Sequence, residues 1–127
     1  PGAVFANFHW VQSIPFWGED VKGMKAFLDA FKAHGGEARP DFYTLTSYIQ
    51  GQVMVEALNR AIASGDLTRA GFMKAVQSIE GFDAGGMIQP VSLSKLPYVT
   101  GTKTRILKPD MANKTWTVAA PYAAPKS

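Results

Sequence analysis

Hydrophobic positions along residues 43–62 follow the 3.6-residue period of an α-helix, but the apolar side changes partway along. In the first turns Leu45, Ile49 and Val53 share one side of the helix. In the later turns the apolar side is a different one, formed by Met54, Val55, Ala57, Leu58, Ala61 and Ile62. The pattern therefore predicts one long helix that begins inside the protein and ends at its surface.

Two further helices are predicted by similar spacing. One ends at a left-handed stop supplied by Gly35 and Gly36, and its apolar positions are Val21, Met24, Phe27, Leu28 and Phe31. Glu19 and Asp20 are candidates to cap its start. Thr68 is a candidate cap for the other helix, whose narrow apolar stripe consists of Phe72, Val76 and Ile79.

Extended structure is predicted near both ends of the chain. The opening GAVFANF, residues 2–8, is apolar and aromatic on both faces and predicts a buried strand, followed by a loop at residues 9–20. From residue 87 onward the pattern predicts three extended segments, MIQPVSLS, TKTRILK and KTWTVAA. PDMAN is interpreted as a hairpin-like turn and PYAAPKS as a loose tail.

These segments indicate an α/β fold with an incomplete sheet. Helices with such apolar faces need a sheet to cover, and a parallel sheet normally carries helices on both faces. The chain offers too few strands for that, and residues 1–10 show neither an initiator Met nor a signal-peptide pattern. We therefore expect a fragment whose missing strands lie upstream in the polypeptide.

Composition narrows the class of protein. The 127 residues are 46% hydrophobic and 18% charged, which is typical of a globular domain, and no segment approaches the roughly 18 to 20 apolar residues that span a bilayer. The net charge is only +3 and the basic residues are scattered, which argues against a nucleic-acid partner. Without cysteine, disulfides and thiolate metal sites are excluded from these residues.

Candidate chemistry is sparse. His9 and His34 lie in separate segments with no carboxylate at helical spacing, so no metal site is predicted, and His34 suits a helix C-terminus. No nucleophile-elbow, phosphate-binding or dinucleotide motif occurs. The basic residues Lys103, Arg105 and Lys108 are interpreted as a solvated strand edge protected by lysine. The sequence thus predicts no catalytic residue and no cofactor.

The order of these segments resembles a known family. An apolar strand, an aromatic loop and an amphipathic helix lead into FKAHGGEARPDFYTLTSYIQGQVMVEALNRA, which carries most of the likeness. TRAGFMKAVQSI, GGMIQPVSLS and RILKPDMANKTW follow in the family's order. The chain is similar to the C-terminal third of the type I periplasmic solute-binding proteins of ABC importers, in the branched-chain amino-acid binding group.

The resemblance implies a two-lobed fold that closes over a small solute, with the chain crossing between the lobes three times. Residues 1–97 would form the C-terminal part of the first lobe, including a hinge strand, and residues 98–127 a terminal hairpin that crosses to the second lobe, with a loose tail. The implied partners are a small amino acid or carboxylate, the N-terminal remainder of the polypeptide and an ABC permease. The implied location is the periplasm or another extracytoplasmic compartment, with no nucleic acid bound.

The resemblance also implies where the solute binds. Tyr43 matches a family position where an aromatic or polar side chain touches the solute, and a phenol offers both an apolar face and a hydroxyl. His9 and Trp10 lie just past the hinge strand, in a segment that commonly lines the same cleft. Thr44 and Thr46 sit at the exposed amides of a helix start, where an anionic group can bind, although capping alone explains them better. Packing in the core or between lobes is the alternative for the aromatic residues.

Two other functions are alternatives. A ligand-sensing domain with the same fold would use closure to change dimer packing and to signal to a receptor or regulator. An upstream signal peptide or lipoprotein cysteine would favour import, whereas a fused signalling or DNA-binding region would favour sensing. An enzyme is poorly supported because no nucleophile-base pair is visible, and turnover of a bound carboxylate or amide by the full-length protein would revive it.

Overall fold

Helices and one small antiparallel sheet make up the protein, for which the computed structural model describes residues 2–35, 39–96 and 101–124. The elements in chain order are α1 (Gly2–Phe5), β1 (Trp10–Gln12), α2 (Met24–His34), α3 (Phe42–Ser64), α4 (Arg69–Gln77), β2 (Thr104–Asp110) and β3 (Thr115–Ala123). None of the described helices combines the length and the apolar character needed to cross a membrane.

Helix α3 confirms the long helix that the hydrophobic pattern predicts. It begins with a capping box at Asp41, whose carboxylate accepts the backbone N–H of Thr44 at 2.8 Å, while the Thr44 hydroxyl accepts the backbone N–H of Asp41 at 2.9 Å. It ends at Gly65, which is left-handed with φ 72°. Leu45 and Ile49 are buried, so the first turns do lie inside the protein.

The later turns of α3 bury a narrower stripe than the pattern predicts. The buried positions there are Ala57 and Ala61, and α4 packs against α3. The larger apolar side chains are 44 to 63% exposed: Met54, Val55, Leu58 and Ile62. The helix therefore does end at a surface, and that surface is apolar.

Helix α2 is confirmed, but its two ends differ from the prediction. Gly23 is the N-cap and no side chain caps it, so the predicted capping by Glu19 and Asp20 is wrong. The helix begins at residue 24, too far along the chain for those carboxylates to reach its free amides. At the other end Gly35 is right-handed, with φ −80°, and Gly36 lies outside the described residues.

Helix α4 is confirmed together with its cap. The hydroxyl of Thr68 accepts the backbone N–H of Gly71 at 3.1 Å. Of the predicted apolar stripe, Ile79 is fully buried and Phe72 and Val76 are partly buried. The stripe thus faces the protein, as its spacing predicts.

The main core lies between α2, α3 and the segment after α4. Its buried members are Met24, Phe27, Leu45, Ile49 and Met87. Residues 13–23, which connect β1 to α2, contribute Ile14, Trp17 and Val21 to its edge. This connecting segment is therefore packed onto the helices rather than free of them.

The strand predicted for GAVFANF is wrong. Residues Gly2–Phe5 form the short helix α1, and Val4, Phe5 and Phe8 are 82, 43 and 47% exposed. A strand satisfies its backbone groups by pairing with a neighbour, and the sheet of the described residues does not extend beside this segment. Local helical hydrogen bonds take the place of that pairing.

The predicted hairpin is confirmed, and a third strand joins it. Strands β2 and β3 are antiparallel, and β1, which lies inside the predicted loop, pairs antiparallel with β2. Strand β3 continues through Ala123, so the start of PYAAPKS belongs to the sheet rather than to a loose tail, while residues 125–127 lie outside the described part. The tail prediction is wrong for residues 121–123, because their backbone pairs with the start of β2.

The segment MIQPVSLS is not a strand. It forms one isolated bridge between Val91 and Phe82, with hydrogen bonds of 2.8 and 3.1 Å, and the backbone N–H of Leu93 donates to the carbonyl oxygen of Ile79 at 2.8 Å. Pro90 lacks the N–H that a strand ladder needs at that position, which limits the extended run.

Candidate functional site

Four aromatic rings follow one another where β1, β3 and the start of α3 meet. The ring of Trp10 lies 4.9 Å from that of Trp116 and 5.2 Å from that of Phe42, measured between centroids. The ring of Phe42 lies 5.7 Å from that of Tyr43. These separations are typical of favourable edge and tilted aromatic pairs. We call Trp116, Trp10, Phe42 and Tyr43 the aromatic row.

Tyr43 is the open end of the aromatic row. Its side chain is 77% exposed, whereas the neighbouring Phe42 is partly buried. The phenol therefore presents both a ring face and a hydroxyl to the surroundings. Within the described residues Tyr43 is not packed into the core at the entrance of the helix, and its ring lies on their surface.

Trp10 and His9 are adjacent in sequence but differ in their surroundings. Trp10 is partly buried in β1, opposite Leu107 of β2, and belongs to the aromatic row. His9 is exposed, and its Nδ1 lies 3.1 Å from the backbone carbonyl oxygen of Asn7. The structure thus brings Trp10 close to Tyr43 through Phe42, while the contact found for the His9 ring is a local one.

Thr44 is committed to the cap of α3. Its hydroxyl donates to the carbonyl oxygen and carboxylate of Asp41 at 2.9 and 3.0 Å, in addition to its bonds in the capping box. The backbone N–H of Thr44 is the main group that lowers the pKa of the Asp41 carboxyl. A carboxylate thus already occupies the helix start, where it satisfies free amides and opposes a second anion. Thr46 likewise bonds within the helix, to the Phe42 carbonyl oxygen at 2.8 Å.

Trp116 is a member of the row that sequence reasoning misses. The segment KTWTVAA predicts a strand but does not show which side chains share a face with Trp10, because that depends on the register of three strands. In the sheet, Pro109 of β2 pairs with Trp116, and Leu107 pairs with Trp10. Residues two apart on β2 point to the same face, so both tryptophans lie on one side of the sheet.

Arg105 overturns the interpretation of the basic run as a solvated edge. It is 5% exposed, and β2 is the central strand of the sheet. Its Nη1 donates to Glu19 Oε1 at 2.6 Å, while Nη2 donates to Glu19 Oε2 and to the carbonyl oxygen of Ile14 at 3.3 Å. The guanidinium lies 5.8 Å from the centre of the Phe16 ring and 4.9 Å from that of Tyr122. A carboxylate 86 residues away along the chain explains how this charge can be buried.

The same contacts set the pKa values in this region. The hydrogen bonds that Arg105 donates to Glu19 raise the pKa of Arg105 above its ordinary value, against the opposing effect of burial. Burial raises the pKa of the Tyr122 hydroxyl. Across residues 2–35, 39–96 and 101–124, no group of three or more His, Asp or Glu side chains could hold a metal ion.

Comparison with known proteins agrees with the resemblance. A family model described as periplasmic binding protein matches residues 1–106. Curated proteins gave no significant match. Among solved structures, a fatty acid ABC transporter substrate-binding protein from Thermomonospora curvata is 22% identical, with a TM-score of 0.79 over 96% of this chain and 31% of that one.

A second solved structure is a branched-chain amino acid ABC transporter protein from Thermus thermophilus with bound valine. It is 17% identical to this chain and has a TM-score of 0.78, over 98% of this chain and 35% of the other. The chain thus spans about a third of the length of both proteins. At these identities the likeness concerns the fold, and it confirms the predicted α/β class of the type I periplasmic binding proteins.

Proposed function

This chain belongs to the periplasmic binding protein family, and on that premise we propose that it is part of an extracytoplasmic solute-binding component of an ABC transporter. In this role two lobes close on a small solute, and the membrane permease recognises the closed form. The role is binding without turnover and needs no cofactor. The observation that carries the proposal is the aromatic row, which joins the start of α3 to the terminal hairpin and is exposed at Tyr43.

The division of the chain between two lobes is part of the proposal. Residues 1–97 contribute to the first lobe, with β1 at one crossing, and residues 98–127 carry the hairpin to the second lobe. Two observations support it. Strand β1 pairs with the start of β2, at Gln12 and Arg105, so the two crossings lie side by side. Among the described residues, β2 and β3 make no extensive contact with the helices.

The solute contacts on this chain are assigned to Tyr43, Trp10 and His9, with Thr44 in support. Tyr43 is accessible, and Phe42 links its ring to that of Trp10. His9 is exposed beside Trp10. Thr44 acts through the cap of α3, which orients the first turn that carries Tyr43.

A carboxylate with an apolar part is the solute class that this surface suits best. The rings of the aromatic row pack against apolar groups, and the Tyr43 hydroxyl can donate a hydrogen bond to a carboxylate. One of the two similar structures is described as a fatty acid substrate-binding protein, and the other contains bound valine. Both solutes are carboxylates with an apolar part, although they differ in size. Branched-chain amino acids and other small carboxylates are therefore the solutes to test first.

Titration calorimetry of the full-length protein tests the proposal. The probes are L-valine, L-leucine, decanoate and benzoate, each added to protein freed of endogenous solute by partial unfolding and refolding. The proposal predicts saturable binding of at least one probe at one site per chain, with a decrease in the radius of gyration measured by small-angle scattering. A protein that binds none of them and has the same radius in every case would contradict the proposed function.

A further inference from the structure

We propose that Arg105 is a positioning residue that latches the β2–β3 hairpin to residues 13–23, and that this latch sets how the two lobes stand before solute binds. The inference rests on the proposed function, because the latch is a contact that the closure of the two lobes would keep or break. It concerns a residue that does not touch the aromatic row itself.

The latch joins the β2–β3 hairpin to the segment between β1 and α2, beside the place where β1 pairs with β2. Arg105 belongs to β2, and both of its partners, Glu19 and Ile14, lie in the segment between β1 and α2. That segment is fixed to the helices because Ile14 and Trp17 pack against the main core. A charged side chain from the hairpin therefore reaches into the helical part of the protein.

Neighbouring groups hold both the Glu19 carboxylate and the Arg105 guanidinium in place. On the helical side, the carboxylate of Glu19 also accepts the backbone N–H of Phe16 at 3.1 Å, which keeps it from swinging away. On the hairpin side, the ring of Tyr122 covers the guanidinium, and the ring of Phe16 covers it from the helical part. The guanidinium is thus bounded by one aromatic ring from each part.

The geometry makes the latch sensitive to rotation. Two parallel hydrogen bonds between a guanidinium and a carboxylate fix direction as well as distance, so a rotation of the hairpin lengthens or breaks at least one of them. Arg105 is 5% exposed, and separation would leave a buried charge without its counter-ion, which is unfavourable. Its Nε is buried without a hydrogen-bond partner in the described part of the chain, so Glu19 is the one charged group there that the guanidinium contacts. The intact latch therefore favours one relative position of the two parts.

The latch lies one step from the proposed site. Arg105 pairs with Gln12 in the sheet, and Trp10 is two residues away from Gln12 on the same face. Because β1 and β3 both pair with β2, a change in the hairpin position that breaks the latch moves Trp10 and Trp116 together relative to Phe42 on α3. The position of the hairpin and the shape of the aromatic row are thereby linked.

Distance measurement between two spin labels tests the latch in the full-length protein without solute. The labels are placed at Asn59→Cys on α3 and Ala112→Cys in the hairpin turn, both exposed positions, in a background free of other cysteines. Glu19→Gln keeps the shape of the side chain but removes its charge. We expect this variant to broaden the distance distribution at least twofold or to shift its maximum, and Arg105→Met to do so further. Glu56→Gln, which weakens the ion pair with Arg60 inside α3, is the matched control and should leave the distribution unchanged.

Thermal unfolding of the same variants separates a latch from a purely structural ion pair. If Glu19→Gln lowers the unfolding temperature while the distance distribution stays that of the parent, the pair only stabilises the fold and the inference is overturned. If Arg105→Met does not fold, the distance distribution of Glu19→Gln alone tests the latch. Because the comparison is made without solute, its outcome does not depend on whether any solute binds. L-valine or decanoate that fails to change the parent distances would count against the function, whereas the effect of Glu19→Gln alone decides on the latch.

Discussion

Trp10 and Trp116 face each other with ring centroids 4.9 Å apart and planes tilted by 50°, although their strands are separated by β2. Adjacent strands lie about 4.8 Å apart, so two large rings on one face can meet across a central strand. The contact ties the terminal hairpin to the segment that carries the proposed solute contacts. The hairpin therefore contributes one ring, that of Trp116, to the aromatic row.

Removal of the Trp116 ring should weaken solute binding. Trp116→Ala removes one of the two rings of the row that contact Trp10, and we expect a loss of about 0.5 to 1.5 kcal/mol in the free energy of binding, the usual contribution of an aromatic pair. Trp116→Phe should retain most of the affinity. Titration calorimetry measures both, and circular dichroism follows the signal of the coupled indoles. Equal affinity of the parent and the alanine variant would separate the hairpin from the site.

Tyr43 is expected to contribute directly to binding. Tyr43→Ala should weaken binding of the solute by about 1 to 3 kcal/mol, because both ring contact and hydroxyl are lost. The fold should be unaffected, since the side chain is 77% exposed. Leu67→Ala is the matched control, because Leu67 is 70% exposed just beyond the other end of α3. Similar affinities of the Tyr43 variant and this control would remove Tyr43 from the site.

The charge of Asp41 should make the stability of α3 depend on pH. The pKa of this carboxyl is lowered from 3.8, chiefly by the backbone N–H of Thr44. A lowered pKa in the folded state gives a stabilisation that is complete above the unfolded value and disappears as the pH falls through the folded value. Asp41→Asn keeps a capping side chain without the charge. The difference between the unfolding temperatures of parent and variant should therefore be constant near pH 7 and shrink progressively as the pH falls below about 4. A constant difference from pH 7 to pH 3 would refute this assignment.

Residues 1–127 expressed alone should expose an apolar surface. Met54, Leu58 and Ile62 are 53, 44 and 63% exposed along one helix, and such a stripe favours self-association. We expect binding of a hydrophobic dye and concentration-dependent association in sedimentation experiments. The double variant Leu58→Glu, Ile62→Lys should reduce both. If the fragment is a monomer with one cooperative unfolding transition, its helices need no further part of the protein to pack against their apolar faces.

Helices were predictable because their signals are local. The apolar period of α3 and the cap at Thr68 depend on residues within one or two turns of each other. Strand β1 was not predictable, because it exists by pairing with a strand more than 90 residues later. The strand expected for GAVFANF fails for the same reason, since an apolar pattern does not supply a neighbour to pair with.

Candidate site residues came from the resemblance alone, and their contact with solute stays a prediction. Tyr43 and Trp10 follow from matching family positions, and the structure adds that Phe42 connects them. Trp116 and Arg105 depend on contacts with residues about a hundred positions away, Trp10 and Glu19. Local spacing shows only a strand with an aromatic residue and a basic run, so neither role was visible in the sequence.

Hydrogen exchange of the full-length protein, with and without its bound solute, tests whether this chain lines the solute site. The account predicts that solute slows exchange in peptides covering residues 9–12 and 41–48, because the start of α3 and β1 border the closed site. Peptides at the far end of α3, residues 55–64, should be unchanged and serve as the internal control. Solute that binds but leaves residues 9–12 and 41–48 exchanging as before would contradict the claim that this chain lines the site.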